Sequence, residues 1–84
     1  MPEISRFYGI VIKMYFHDSE HHPPHIHASY QGYMISISIV DLNVLAGNIT
    51  PKALSMIKEW ISIHKEELLE MWNKRIIKRI EPLK

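Results

Sequence analysis

An α+β fold is what this sequence predicts: a small antiparallel sheet of about four strands, with a C-terminal segment as an extra edge strand, packed against one long amphipathic helix. Two observations carry the prediction. The first half holds several short runs rich in β-branched and aromatic residues, separated by Gly, Pro, Asn and Asp. The second half opens with a helix-start signal and continues with apolar residues at helical spacing for more than twenty positions.

The first run, RFYGIVIKMYF from Arg6 to Phe16, contains no proline and reads as one strand buried on much of both faces. HDSEHHPP then interrupts it, because Pro23 and Pro24 cannot donate to a ladder. HIHASY alternates, with His25, His27 and Ser29 on one side and Ile26, Ala28 and Tyr30 on the other. Gln31 and Gly32 form a tight turn into YMISISI, whose Tyr33, Ile35, Ile37 and Ile39 share a face. A second turn at Asp41 to Asn43 leads to VLAGNI, a short fourth strand.

Thr50 is the expected N-cap of the helix TPKALSMIKEWISIHKEELLEMWNK, and Pro51 suits its first turn. Its apolar stripe is Ala53, Leu54, Ile57, Trp60, Ile61, Leu68, Met71 and Trp72. His64 falls within that stripe, so a core role with satisfied ring nitrogens is expected for it. The tail RIIKRIEPL is the candidate edge strand, closed off by Pro82.

Eighty-four residues, 46% hydrophobic and 23% charged, fit a single domain spanning 1–84 and exclude the composition of a disordered chain. A core of this size gives modest stability, which makes a second copy or another partner a natural addition. A net charge of +1 gives no global case for nucleic acid. Local basic groups remain: Lys74, Arg75, Lys78 and Arg79 cluster in NKRIIKR, and with Lys13 they are the candidate contacts to RNA or to a partner protein. A solvated polar face is the plainer reading of that run. Without cysteine, thiolate chemistry is excluded and any metal must be held by His, Asp or Glu. The N-terminus lacks the pattern of an export signal and no run approaches the ~20 apolar residues of a membrane span, so a cytoplasmic protein without membrane contact is expected.

Four of the six histidines lie in EHHPPHIHASY, residues 20–30. Residues two apart on a strand share a face at roughly 6.5–7 Å, so His25 and His27 can turn toward one ion or one substrate atom. His21 can fold back across the Pro-Pro bend as a third ligand, with His17, Asp18, Glu20 and His22 as substitutes. Three histidines with an open position suit a divalent metal, zinc first. If the preceding turn centres near Glu20 and His21, Tyr15 lies opposite His27 and Lys13 opposite Ser29, and the same face then offers two imidazoles and a cation for acid/base work on a phosphodiester. The competing reading is a hydrated sheet face whose imidazoles bond nearby carbonyls. No nucleophile motif accompanies the serines, and no reaction follows from these residues alone.

The opening MPEISRFYGIVIKMYF, the PPHIHA segment, EWISIHKEEL in the helix and the closing IEPL together resemble the small bacterial and archaeal proteins grouped as domain of unknown function 4160. The resemblance covers nearly the whole chain. The family's Asp-His-x-Pro-Pro-His-Phe-His-Ala centre maps onto Glu20 to Ala28, which makes His21, His25 and His27 the matching histidines, and His64 matches one in the helix. Ile26 stands where Phe is common, and the HDSE segment is longer than the family's compact turn. What the resemblance implies is a component of a toxin-antitoxin-like pair, with a small cognate protein partner and an RNA-directed or regulatory role. A non-catalytic partner-binding or transcription-regulatory module, its histidine surface structural, is the alternative.

Overall fold

The structure, a computed structural model, describes residues 2–16 and 23–84. Five strands precede one helix: β1 (Glu3–Phe7), β2 (Ile10–Lys13), β3 (His25–Tyr30), β4 (Tyr33–Ser38), β5 (Val44–Asn48) and α1 (Pro51–Lys74). The strands form one antiparallel sheet in chain order. The α+β class is as expected, with five strands where about four were predicted.

The additional strand comes from the run Arg6–Phe16, which is a hairpin and not a single strand. Phe7 pairs with Ile10, leaving Tyr8 and Gly9 as a two-residue loop. Their φ values are +51° and +82°, both positive as a type I′ turn requires. Reversal there puts Phe7 on the same face as Ile10 and Ile12, all buried, and turns Tyr8 out to solvent. A bulge follows between Glu3 and Ser5, where the register against β2 slips. Consecutive side chains Ile4 and Ser5 are both fully buried as a result, and the Ser5 hydroxyl has no hydrogen-bond partner among the described residues.

Gln31 and Gly32 make the second two-residue hairpin loop, again with both φ positive, between β3 and β4. Alternation along these strands sends Ile26, Ala28, Ile35 and Ile37 into the core and His25, His27, Ser29 and Ser36 to the opposite face. A solvated outer face is compatible with stability because the inner face is buried almost completely.

The inner face packs on α1, whose buried residues are Ala53, Ile57, Trp60, Ile61, Leu68, Met71 and Trp72. Of the predicted stripe, only Leu54 and His64 stop short of full burial. The Phe7 and Trp60 rings meet at 5.7 Å, tying the first hairpin to the helix. Thr50, in extended geometry, accepts from the Ala53 amide at 3.3 Å as N-cap, with Pro51 first in the helix. At the other end Arg75 adopts left-handed φ, and the amides of Arg75 and Ile76 both close on the Met71 carbonyl. No helix among the described residues is long and apolar enough to cross a membrane.

The C-terminal segment is not a strand. Residues 76–84 run as an irregular strap beside β1, with the Ile80 amide donating to the Ile4 carbonyl at 2.8 Å and Ile80 itself buried. Trp60 Nε1 donates to the Glu81 carbonyl at 2.8 Å, anchoring the strap to the helix. A buried side chain, an indole bond and an ion pair to Glu3 hold the segment where a ladder was expected.

Candidate functional site

Period-two geometry places His25 and His27 on the outer face of β3, with ring centroids 5.2 Å apart and planes at 68°. Across the ladder His25 faces Ser38 and His27 faces Ser36. On the other flank Lys13 stands opposite His27, and Val11 opposite Ser29. The expected pairing of Lys13 with Ser29 and Tyr15 with His27 is therefore off by two residues. Because the slip is even, Lys13 stays on the histidine face, and it moves closer to the pair. The Tyr15 ring still reaches His27, at 4.6 Å between centroids.

Each imidazole has its Nδ1 engaged by the protein. His25 Nδ1 lies 2.8 Å from the Pro23 carbonyl oxygen, which can only accept, so Nδ1 carries the proton and the neutral ring's lone pair is on Nε2. His27 Nδ1 lies 3.3 Å from Ser36 Oγ. A depression of about 220 Å³ opens beside it, lined by His27, Met34, Ile35, Ser36, Ala46 and Gly47.

Trp72 joins the site from the helix: its ring is 5.0 Å from His25, and it also meets Phe16 at 5.9 Å and the Arg75 guanidinium at 5.8 Å. The guanidinium also lies 5.4 Å from the centre of the Phe16 ring. A continuous path of rings thus runs from Arg75 through Trp72 and His25 to His27 and Tyr15. Helical spacing assigns Trp72 to the core, which is correct for its burial. Its contact with His25 depends on how helix and sheet meet, for which one sequence carries no local signal.

The basic run is dispersed in space. Lys74 pairs with Glu70 at 3.5 Å, Lys78 with Glu67 at 3.7 Å and Arg79 with Glu3 at 2.9 Å, while Arg75 stacks beside Trp72. Exposed pairs of this kind are weak and leave the cations accessible, yet they divide the four between the helix flank, the strap and the end of the histidine face. Glu3 also binds Arg6 at 2.7 Å, and the two guanidinium groups hold its carboxyl at about 2, well below 4.5.

His64 belongs elsewhere. It is half-buried, not central to the core, and its backbone leaves helical geometry at φ −109° and ψ 18°. Nδ1 bonds Glu67 at 2.9 Å and the ring lies 5.3 Å from Trp60. It lines a groove of about 320 Å³ with Ile63, Glu81, Pro82 and Leu83, on the strap side of the helix.

His21, the expected third ligand, and its substitutes His17, Asp18, Glu20 and His22 lie outside the described residues. Among the described residues no three His, Cys, Asp or Glu side chains are grouped to hold a metal. What the described geometry supplies is two adjacent imidazoles, a fixed tautomer on one, and a lysine opposite the other.

A family model described as Domain of unknown function (DUF4160) matches residues 9–73, a span that holds the whole histidine segment and most of the helix. No curated protein and no solved structure matches the chain.

Proposed function

The chain belongs to the DUF4160 family, and from that premise we propose that it is a divalent-metal-binding component of a cytoplasmic, toxin-antitoxin-like protein pair. His25 and His27 would supply two ligands and His21 the third, with zinc as the metal best suited to neutral imidazoles. One observation carries the reading: the Pro23 carbonyl accepts from His25 Nδ1 at 2.8 Å. A histidine that donates one ring nitrogen to a carbonyl is oriented, and made more basic, at the other nitrogen, as metal-binding histidines usually are. Ser36 stands in the corresponding place for His27. When bound, zinc supplies a Lewis acid; the chain's part is to hold the rings, with Tyr15 and Trp72 packed against them.

Lys13 favours a second reading. An ammonium opposite His27 repels a cation but suits a phosphate, so the same face would act on RNA, one imidazole as base and the other as acid. The repulsion is modest for a flexible, partly exposed lysine in salt.

Zinc titration of untagged protein against a chromophoric chelator separates the readings. Stoichiometric uptake that is lost in His25→Ala/His27→Ala supports the metal site. No uptake by folded wild-type protein rejects it. RNA cleavage in chelator, abolished by the same double variant, would then establish the second reading. Neither activity leaves a partner-binding or transcription-regulatory module.

A further inference from the structure

The two edges of the sheet are finished differently. Beside β1 the strap of residues 76–84 supplies the Ile80 amide to Ile4 and the Arg79 guanidinium to Glu3. No such cover lies beside β5 among the described residues, and all five of its residues, Val44 to Asn48, are exposed. Edge strands are commonly kept from pairing by lysine, proline or an inward charge. VLAGN has none of these, and its blunting device is the bulge at Leu45, where the register against Ser36 and Ile37 slips. Val44 and Leu45 are 41% and 44% exposed, and Met34 on the neighbouring strand is 59% exposed.

We propose that β5 is a dimerisation edge, pairing antiparallel with β5 of a second copy of this chain. Three features select that occupant. The strand carries no charge, so laying it against itself opposes no like charges. The nearest charges along the chain are opposite in sign at its two ends: Asp41 before it and Lys52 after it, both exposed. Antiparallel self-pairing with Ala46 opposite its own copy brings the Asp41 end of each chain to the Lys52 end of the other, twice by symmetry. A parallel arrangement would set like with like. Finally, the strap occupies the opposite edge, so pairing at β5 closes after two chains and does not propagate into a fibre.

Sedimentation equilibrium on the full chain, from micromolar to millimolar concentration, tests the proposal. A monomer–dimer equilibrium is expected, with β5 amides exchanging more slowly as the dimer fills. Ala46→Lys, at an exposed position, should weaken dimerisation about tenfold or more by setting two new cations directly opposite each other across the twofold axis. Lys52→Asp is the second variant. It puts an acid in a first helical turn that has none, which favours the helix, while it opposes Asp41 of the partner copy. Thermal stability held or raised together with a weaker dimer is therefore the expected pair of results. A monomer at every concentration overturns the proposal. So does a dimer whose dissociation constant neither variant moves, or a β5 edge protected only when a different protein is added.

Discussion

Arg79 reaches back across the whole chain to Glu3, Nη1 to Oε2 at 2.9 Å, so that the last segment is tied to the first strand. The same carboxylate accepts from Arg6 at 2.7 Å through its other oxygen. These two bonds, that from Arg6 first, depress the Glu3 carboxyl from 4.5 to about 2. A depressed acid contributes stability that is complete above its unfolded value and is lost as pH falls through its folded one. Glu3→Gln should accordingly lower the melting temperature at pH 7, with the difference from wild type shrinking below pH 4.5 and closing near 2. Melting curves across that range check it; a difference that does not vary with pH would assign the effect to packing.

Ser36→Ala isolates the support beneath His27. Removing Oγ takes away the group 3.3 Å from Nδ1 and leaves the ring, the strand and the neighbouring His25 in place. Loss of a partner behind a metal-bound histidine typically weakens binding 10–100-fold, and under the proposed zinc reading about tenfold is expected because His25 keeps its carbonyl. Zinc affinity by chelator competition reads this directly. An unchanged affinity would mean that His27 is not a ligand or is oriented by another group.

Local signals made the helix legible almost to the residue. Thr50, Pro51 and the apolar stripe each act within a turn or two, and α1 runs from Pro51 to Lys74 as the spacing predicts. The shared face of His25 and His27 was equally readable, since it follows from period two alone. Tyr8-Gly9 was not, because a tyrosine at a positive φ inside an apolar run lacks the Asn or Asp that usually marks a type I′ turn. The position of Lys13 opposite His27 depends on the segment between β2 and β3, and the ring contact of Trp72 with His25 on how two distant elements meet. Neither quantity is written in any short stretch of sequence.

Gly47 and Gly32 have nearly the same φ, +80° and +86°, and differ in surroundings. A Cβ on Gly47 would run into the Met34 carbonyl oxygen, whose place is fixed by the ladder with β5; one on Gly32 would meet nothing within 4 Å. Gly32→Ala should therefore cost only the conformational strain of about 1 kcal/mol. Gly47→Ala adds displacement of a strand backbone and should cost about 2–4 kcal/mol. Urea denaturation of the two variants measures the gap. Equal losses would show that β5 moves away from Met34 freely.

Ile80 is 4% exposed although it lies in an irregular segment, and the amide beside it is the one that bonds Ile4. Truncation to Ala removes buried methyl groups at a site where the surrounding strap can partly collapse, so a loss near the low end of the usual range, about 2 kcal/mol, is expected. Trp60→Phe should loosen the same segment by a different route, removing the donor to the Glu81 carbonyl. Faster hydrogen exchange at the Ile80 amide in both variants is the shared signature. A strap amide that exchanges at the same rate in all three proteins would contradict its role as the cover of β1.

Gln31 occupies the first position of the β3–β4 turn at φ +49°, a conformation that costs a residue with an ordinary Cβ roughly 1 kcal/mol. Asparagine tolerates it better, since its short amide bonds locally to the backbone. Gln31 is exposed, so replacing it breaks no packing. Gln31→Asn should stabilise the protein by about 0.5 kcal/mol, seen as a higher urea midpoint at unchanged slope. The equivalent change at Tyr8 should gain less, because its ring makes an edge contact with Phe7 at 6.5 Å that asparagine would lose. If Tyr8→Asn proved the more stabilising of the two, the exposed ring contributes nothing and turn strain alone governs both hairpins.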